Sequence, residues 1–87
     1  MNNRKKIIII DDERDLSLLL KAFFLRKQYS VSIAHSFPEA LTLVKEFQPD
    51  IVFLKSAVCQ NPAEDMKALK QEVPNAEIVL NYFTITH

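Results

Sequence analysis

The sequence predicts an α/β domain built on an open parallel sheet. Four short apolar runs alternate with three amphipathic stretches of helical length. The connections are too long for hairpins and have the length of helical crossovers. The chain has 87 residues, which allows one small domain, spanning 1–87.

The first strand is predicted over Lys6–Ile10, where four consecutive isoleucines favour a strand buried on both faces. A helix follows from Glu13 to Lys27, with Leu16, Leu19, Leu20 and Phe23 marking its inward face by spacing. Leu18, Ala22, Phe24 and Leu25 widen the apolar surface beyond one face. The second strand, Tyr29–Ala34, alternates apolar and polar residues as a half-exposed strand does. Ser36-Phe-Pro-Glu39 reads as a capping box for a second helix over Phe37–Phe47, with Ala40, Leu41, Val44 and Phe47 inward. The third strand runs from Asp50 to Leu54. Asn61 and Pro62 open a third helix that ends near Glu72, with Met66, Leu69 and Val73 on its buried stripe. A fourth strand is predicted over Glu77–Phe83.

Composition removes several function classes. Eleven basic and eleven acidic side chains balance, so nothing pulls the chain as a whole toward nucleic acid, and direct nucleic-acid binding is not expected. Glycine is absent, which excludes glycine-rich phosphate loops and dinucleotide fingerprints, and leaves any turn of positive φ to other residue types. No apolar run is long enough for a membrane span, so no membrane partner is expected. The single cysteine, Cys59, has no internal partner, which points to a cytoplasmic chain.

In open parallel sheets the site lies at the carboxyl ends of the strands. Those ends carry Asp11-Asp12, Ala34-His35, Lys55 and Asn81. His35 is read as a loop histidine, Cys59 as a loop cysteine lacking an identifiable base, and Arg4-Lys5-Lys6 as a solvated charge run.

With these residues in place the chain resembles a response-regulator receiver domain. The resemblance rests on Ile-Ile-Ile-Asp11-Asp12-Glu13, Tyr29-Ser-Val-Ser-Ile-Ala34, Pro38-Glu-Ala-Leu41, Gln48-Pro-Asp-Ile-Val-Phe-Leu54 and Ala76-Glu-Ile-Val-Leu80. It implies a flavodoxin-like fold with strand order 2-1-3-4, truncated after the fourth strand, without the fourth helix, fifth strand and fifth helix. In receivers of this kind an aspartate ending the third strand accepts a phosphoryl group. Two acids after the first strand hold Mg²⁺, and a Thr or Ser ends the fourth strand as a switch. Here Lys55 stands at the phosphoacceptor position and Asn81 at the switch position, leaving Asp11 and Asp12 as a vestigial acidic pocket. A lysine amine cannot form the acyl phosphate, so no phosphoacceptor, catalytic residue or metal ligand is assigned, and no cofactor is expected, Mg²⁺ included. Lys55 is expected to set its ammonium in the metal's place, paired with Asp12 or Asp11, because two neighbouring acids gain from a cation.

The expected function is therefore a non-enzymatic pseudo-receiver, a protein-interaction module in two-component, phosphorelay signal transduction. The expected interaction surface comprises Leu18, Phe24, Leu25, Tyr82 and Phe83, and the expected partners are a second copy as homodimer, a sensor histidine kinase or another response regulator. An alternative is an N-terminal regulatory receiver segment of a longer response regulator or transcription factor. A phosphate-accepting domain of ordinary type would need an unconventional residue such as Asp50 or Asp12, and Asp50 begins the third strand, at the wrong end of the sheet.

Overall fold

The computed structural model describes residues 4–81. Its elements run in the order β1 (Lys6–Ile10), α1 (Arg14–Arg26), β2 (Ser30–Ala34), α2 (Phe37–Phe47), β3 (Ile51–Leu54), a 3₁₀ turn (Ser56–Val58), α3 (Pro62–Glu72) and β4 (Glu77–Leu80). The strands form one parallel sheet in the order β2-β1-β3-β4. Tyr82 and Phe83, expected to extend the last strand and to join the interaction surface, lie outside the described residues.

Parallel register fixes which residues share a face. Ile8 and Ile10 align with Val52 and Leu54 of β3, and Ile10 aligns with Ala34 of β2. This face meets α2 and α3, and the main core forms there, from Ile8, Ile10, Ala34, Val52 and Leu54 against Phe37, Ala40, Val44, Leu69 and Val73. The opposite face presents Ile7, Ile9, Ile51 and Phe53 toward α1. All four β1 isoleucines are buried, as a central strand covered on both faces requires.

Side-chain caps set the helix starts on the core side. Ser36 Oγ accepts a hydrogen bond from Glu39 N–H at the start of α2, and Asn61 Oδ1 accepts one from Glu64 N–H at the start of α3. Glu39 Oε1 reaches back one residue further than a capping box predicts and accepts from His35 N–H. Among the described residues, three non-glycine residues take up left-handed turns: Gln28 at φ 69°, Gln48 at φ 51° and Asn81 at φ 52°.

The inward face of α1 differs from the spacing prediction. Leu19 is 69% exposed and Phe23 53% exposed, whereas Ser17 is fully buried. The ring of Phe24 stacks on Phe53 of β3 at 5.3 Å, with Tyr29 edge-on to it at 5.7 Å. Relative to the prediction the helix is turned by about one residue step. Ser17 explains how a polar residue can face the sheet: its hydroxyl donates to Glu13 O at 2.7 Å, so its burial leaves no unmet donor. The aromatic stack then fixes the rotation further along the helix.

Candidate functional site

The ladder hydrogen bonds run one residue past each strand and line up the side chains just beyond. Asp11 N–H donates to Ala34 O, Lys55 N–H to Ile10 O, and Asn81 N–H to Leu54 O. His35, Asp11, Lys55 and Asn81 therefore stand in a row along the carboxyl edge of the sheet. Asp50 lies at the opposite edge, where its Oδ2 accepts from Lys6 N–H at 2.8 Å and its carbonyl accepts from Glu77 N–H. That separation sets Asp50 apart from the row.

Lys55 is the centre of the charge arrangement. Its Nζ lies 3.8 Å from Asp11 Oδ1 and donates a hydrogen bond to Glu13 Oε1. Asp11 is fully buried, and its Oδ1 also accepts from Glu13 N–H at 2.9 Å. The Glu13 hydrogen bond, aided by the charges of Asp11, Glu13 and Asp12, raises the Lys55 ammonium above its ordinary pKa despite the lowering effect of partial burial. A protonated amine has no lone pair to attack a phosphoryl donor.

The pairing expected with Asp12 or Asp11 goes to Asp11, while Asp12 is exposed and acts on Lys55 only through its charge. Glu13 is the residue that sequence reasoning missed. It occupies the N-cap position of α1 in extended backbone, and its carboxylate makes no cap hydrogen bond. The signal was present as the third member of an acid triplet, but its reach across to Lys55 depends on the turn between β1 and α1.

The acids at this edge do not fit a divalent cation. An ammonium already sits against Asp11 and Glu13, and no cluster of three or more His, Cys, Asp or Glu with metal-holding geometry occurs among the described residues.

Asn81 makes a specific tie at one end of the row. Its Oδ1 accepts a hydrogen bond at 3.0 Å from the backbone N–H of Ser56, the residue after Lys55. The end of β4 is thus tied to the loop leaving β3, and the left-handed backbone of Asn81 aims the amide there. His35 closes the other end of the row. Its Nδ1 lies 2.9 Å from Asp11 O, and because a carbonyl only accepts, Nδ1 carries the proton. Cys59 is half-buried beyond the 3₁₀ turn, and burial, with the charge and hydrogen bond of Asp65, raises its thiol above the ordinary pKa.

Of the expected interaction surface, Leu18 is 59% exposed and Leu25 46% exposed. Phe24 does not share that surface, since it is half-buried against Phe53. Among the described residues no helix is long and apolar enough to cross a membrane.

Comparison with solved structures gives this arrangement its context. Over 93% of its length the chain superposes on a response regulator from Burkholderia pseudomallei at a TM-score of 0.81 and 24% identity, covering 49% of that chain. That structure holds a phosphorylated aspartic acid, a calcium ion and citrate. A response regulator from Thermotoga maritima matches at 0.80 and 18% identity, over 93% of this chain and 70% of that one. The non-phosphorylated receiver domain of HemR from Leptospira biflexa matches at 0.78 and 19% identity, over 88% of this chain and 63% of that one. The chain thus spans between half and 70% of the length of these three structures. No family model matches the sequence. The likeness establishes the receiver-domain fold.

Proposed function

We propose that the chain is a phosphorylation-independent pseudo-receiver and works as a non-enzymatic protein-interaction module in two-component signal transduction. The observation that carries this reading is the Lys55 ammonium at the carboxyl end of β3, held by Asp11 and Glu13. Three features of a phosphoryl-accepting site are countered together: the position offers an amine in place of a carboxylate, the metal's seat holds a cation, and Asn81 ties its amide to Ser56 where a hydroxyl would have to move. A domain so fixed presents one constant surface. Its partners are proteins of the same signalling system: a second copy, a sensor histidine kinase or another response regulator. Such work belongs in the cytoplasm.

Acetyl phosphate with Mg²⁺ tests the reading directly. The intact chain is expected to show no mass gain, and Lys55→Asp alone is expected to label poorly, because Asn81 still lacks a hydroxyl. A phosphorylated aspartate in the wild-type chain would overturn the proposal.

A second reading has one observation behind it, the partial coverage of the three solved chains. On that reading these residues are the N-terminal regulatory segment of a longer response regulator or transcription factor. The reading frame beyond His87 decides it, and the Lys55 chemistry is the same in either case.

A further inference from the structure

The outward face of α1 carries more apolar surface than a solvated helix needs. Leu18, Leu19, Phe23 and Leu25 are 59%, 69%, 53% and 46% exposed, and the small Ala22 lies exposed among them. Phe23 is held in place from within, edge-on to Phe24 at 5.3 Å and under Lys27 Nζ at 5.5 Å from the ring centre. Four large exposed apolar side chains on one helix form a patch of the kind that marks a protein contact.

The charges at the two ends of this patch identify the occupant. Asp15 stands in the first turn and Arg26 in the last, both exposed, and neither forms a salt bridge among the described residues. Arg14 opens the helix beside Asp15, so the polarity belongs to one stripe rather than to the whole turn: Asp15, Leu18, Ala22 and Arg26 share a face by helical spacing, with the acid at one end and the base at the other. Such a surface complements itself when a second copy is turned end for end.

We propose that α1 is a self-association surface, pairing antiparallel with α1 of a second copy about a two-fold axis near the level of residue 21. That axis sets Asp15 against the partner's Arg26 and Leu18 against the partner's Leu25, with Ala22 near the centre, where its small side chain permits close approach. The contact is isologous, so each charge pair occurs twice and the assembly closes at two chains. The helix dipoles also oppose favourably in this orientation. The inference rests on the reading of the chain as an interaction module and names the surface and partner through which it acts.

Sedimentation velocity on the full chain from micromolar to submillimolar concentration tests it. The wild-type chain is expected to reach a dimer. Asp15→Arg or Arg26→Asp each place two like-charge contacts in the interface and are expected to raise the dimer Kd by roughly tenfold or more. The double variant restores opposite charges across the axis and is expected to recover the dimer. That recovery separates pairing from a helix-dipole effect, since the double reversal worsens the fit of both residues to the helix dipole. An Ala22→Cys variant in a Cys59→Ser background is expected to form a disulfide-linked dimer on oxidation. All the α1 substitutions sit on exposed positions, and circular dichroism checks that each variant is folded. A wild-type monomer throughout the range, or a dimer indifferent to both charge reversals, would overturn the inference. Either result leaves the phosphorylation test intact, so failure of the surface and failure of the function are read separately.

Discussion

At the scale of single residues, the site is a cation held among acids, with consequences for pH. Lys55 stands just beyond the end of β3, and the acids beside it hold it as a cation. Its pKa is raised above 10.5 in the folded state by the Glu13 hydrogen bond first and the neighbouring acids after it. A group raised on folding contributes stability that is fully present below its unfolded value and is lost as pH rises through the folded value. The urea midpoint of the wild-type chain is therefore expected to fall above pH 10.5 more steeply than that of Lys55→Met. At neutral pH the Lys55→Met variant should be less stable by roughly 1 kcal/mol, the scale of a partly exposed pair. Parallel curves for the two proteins above pH 10.5 would show that Lys55 contributes nothing through its charge. The sequence made half of this site legible. Strand-end positions located Asp11, Lys55 and Asn81, because a parallel ladder fixes where the residue beyond each strand end must stand. It gave no hold on Glu13 or on the bond from Ser56 to Asn81, because both depend on loop backbone angles that no periodicity encodes.

At the scale of elements, the strands and helix starts were legible and the rotation of α1 was not. Isoleucine runs and capping residues act locally, so β1, α2 and α3 arise from short stretches of chain. The face that α1 turns inward is a choice between nearly equivalent apolar stripes. Hydrophobicity alone favoured Leu19 and Phe23, whereas the stack of Phe24 on Phe53 and the self-satisfied Ser17 favour the observed side. Truncation measures this choice: Phe24→Ala is expected to cost about 2–3 kcal/mol, below the full range for a buried aromatic, and Phe23→Ala less than about 1 kcal/mol. A larger loss at Phe23 than at Phe24 would place the helix in the other rotation. The turn closing α1 offers a second measurement. Gln28 sits at φ 69°, where a side chain is unfavourable and glycine is not. Gln28→Gly is expected to stabilise the fold by about 1 kcal/mol, or about 4–8 °C in Tm for a domain of this size. A lowered Tm would mean that the loss of side-chain contacts and the added freedom of the unfolded chain outweigh the relieved strain.

At the scale of the whole molecule, the two faces of the sheet are unequally covered among the described residues. Two helices seal one face with a continuous core, and α1 alone covers the other, leaving Ile51, Phe53 and Val79 half-buried. Stability should be distributed accordingly, since local opening tracks the loss of few buried contacts. Amides of Ile8, Ile9 and Ile10 lie in the central strand, and their side chains are fully buried, so they are expected to exchange only on global unfolding. The amides of Glu77 and Asn81 are hydrogen-bonded to Asp50 O and Leu54 O, yet both residues are exposed in or beside a strand paired on one side among the described residues. Hydrogen exchange is therefore expected to rank β1 slowest and β4 fastest among the strands. Amides of α1 should fall between them in dilute solution. If α1 pairs with a second copy, its protection must grow with protein concentration while that of β4 stays constant, because only the helix gains contacts on association. Protection of β4 that rises with concentration while α1 does not change would move the interface to the sheet edge, where unpaired backbone groups are the alternative means of attachment.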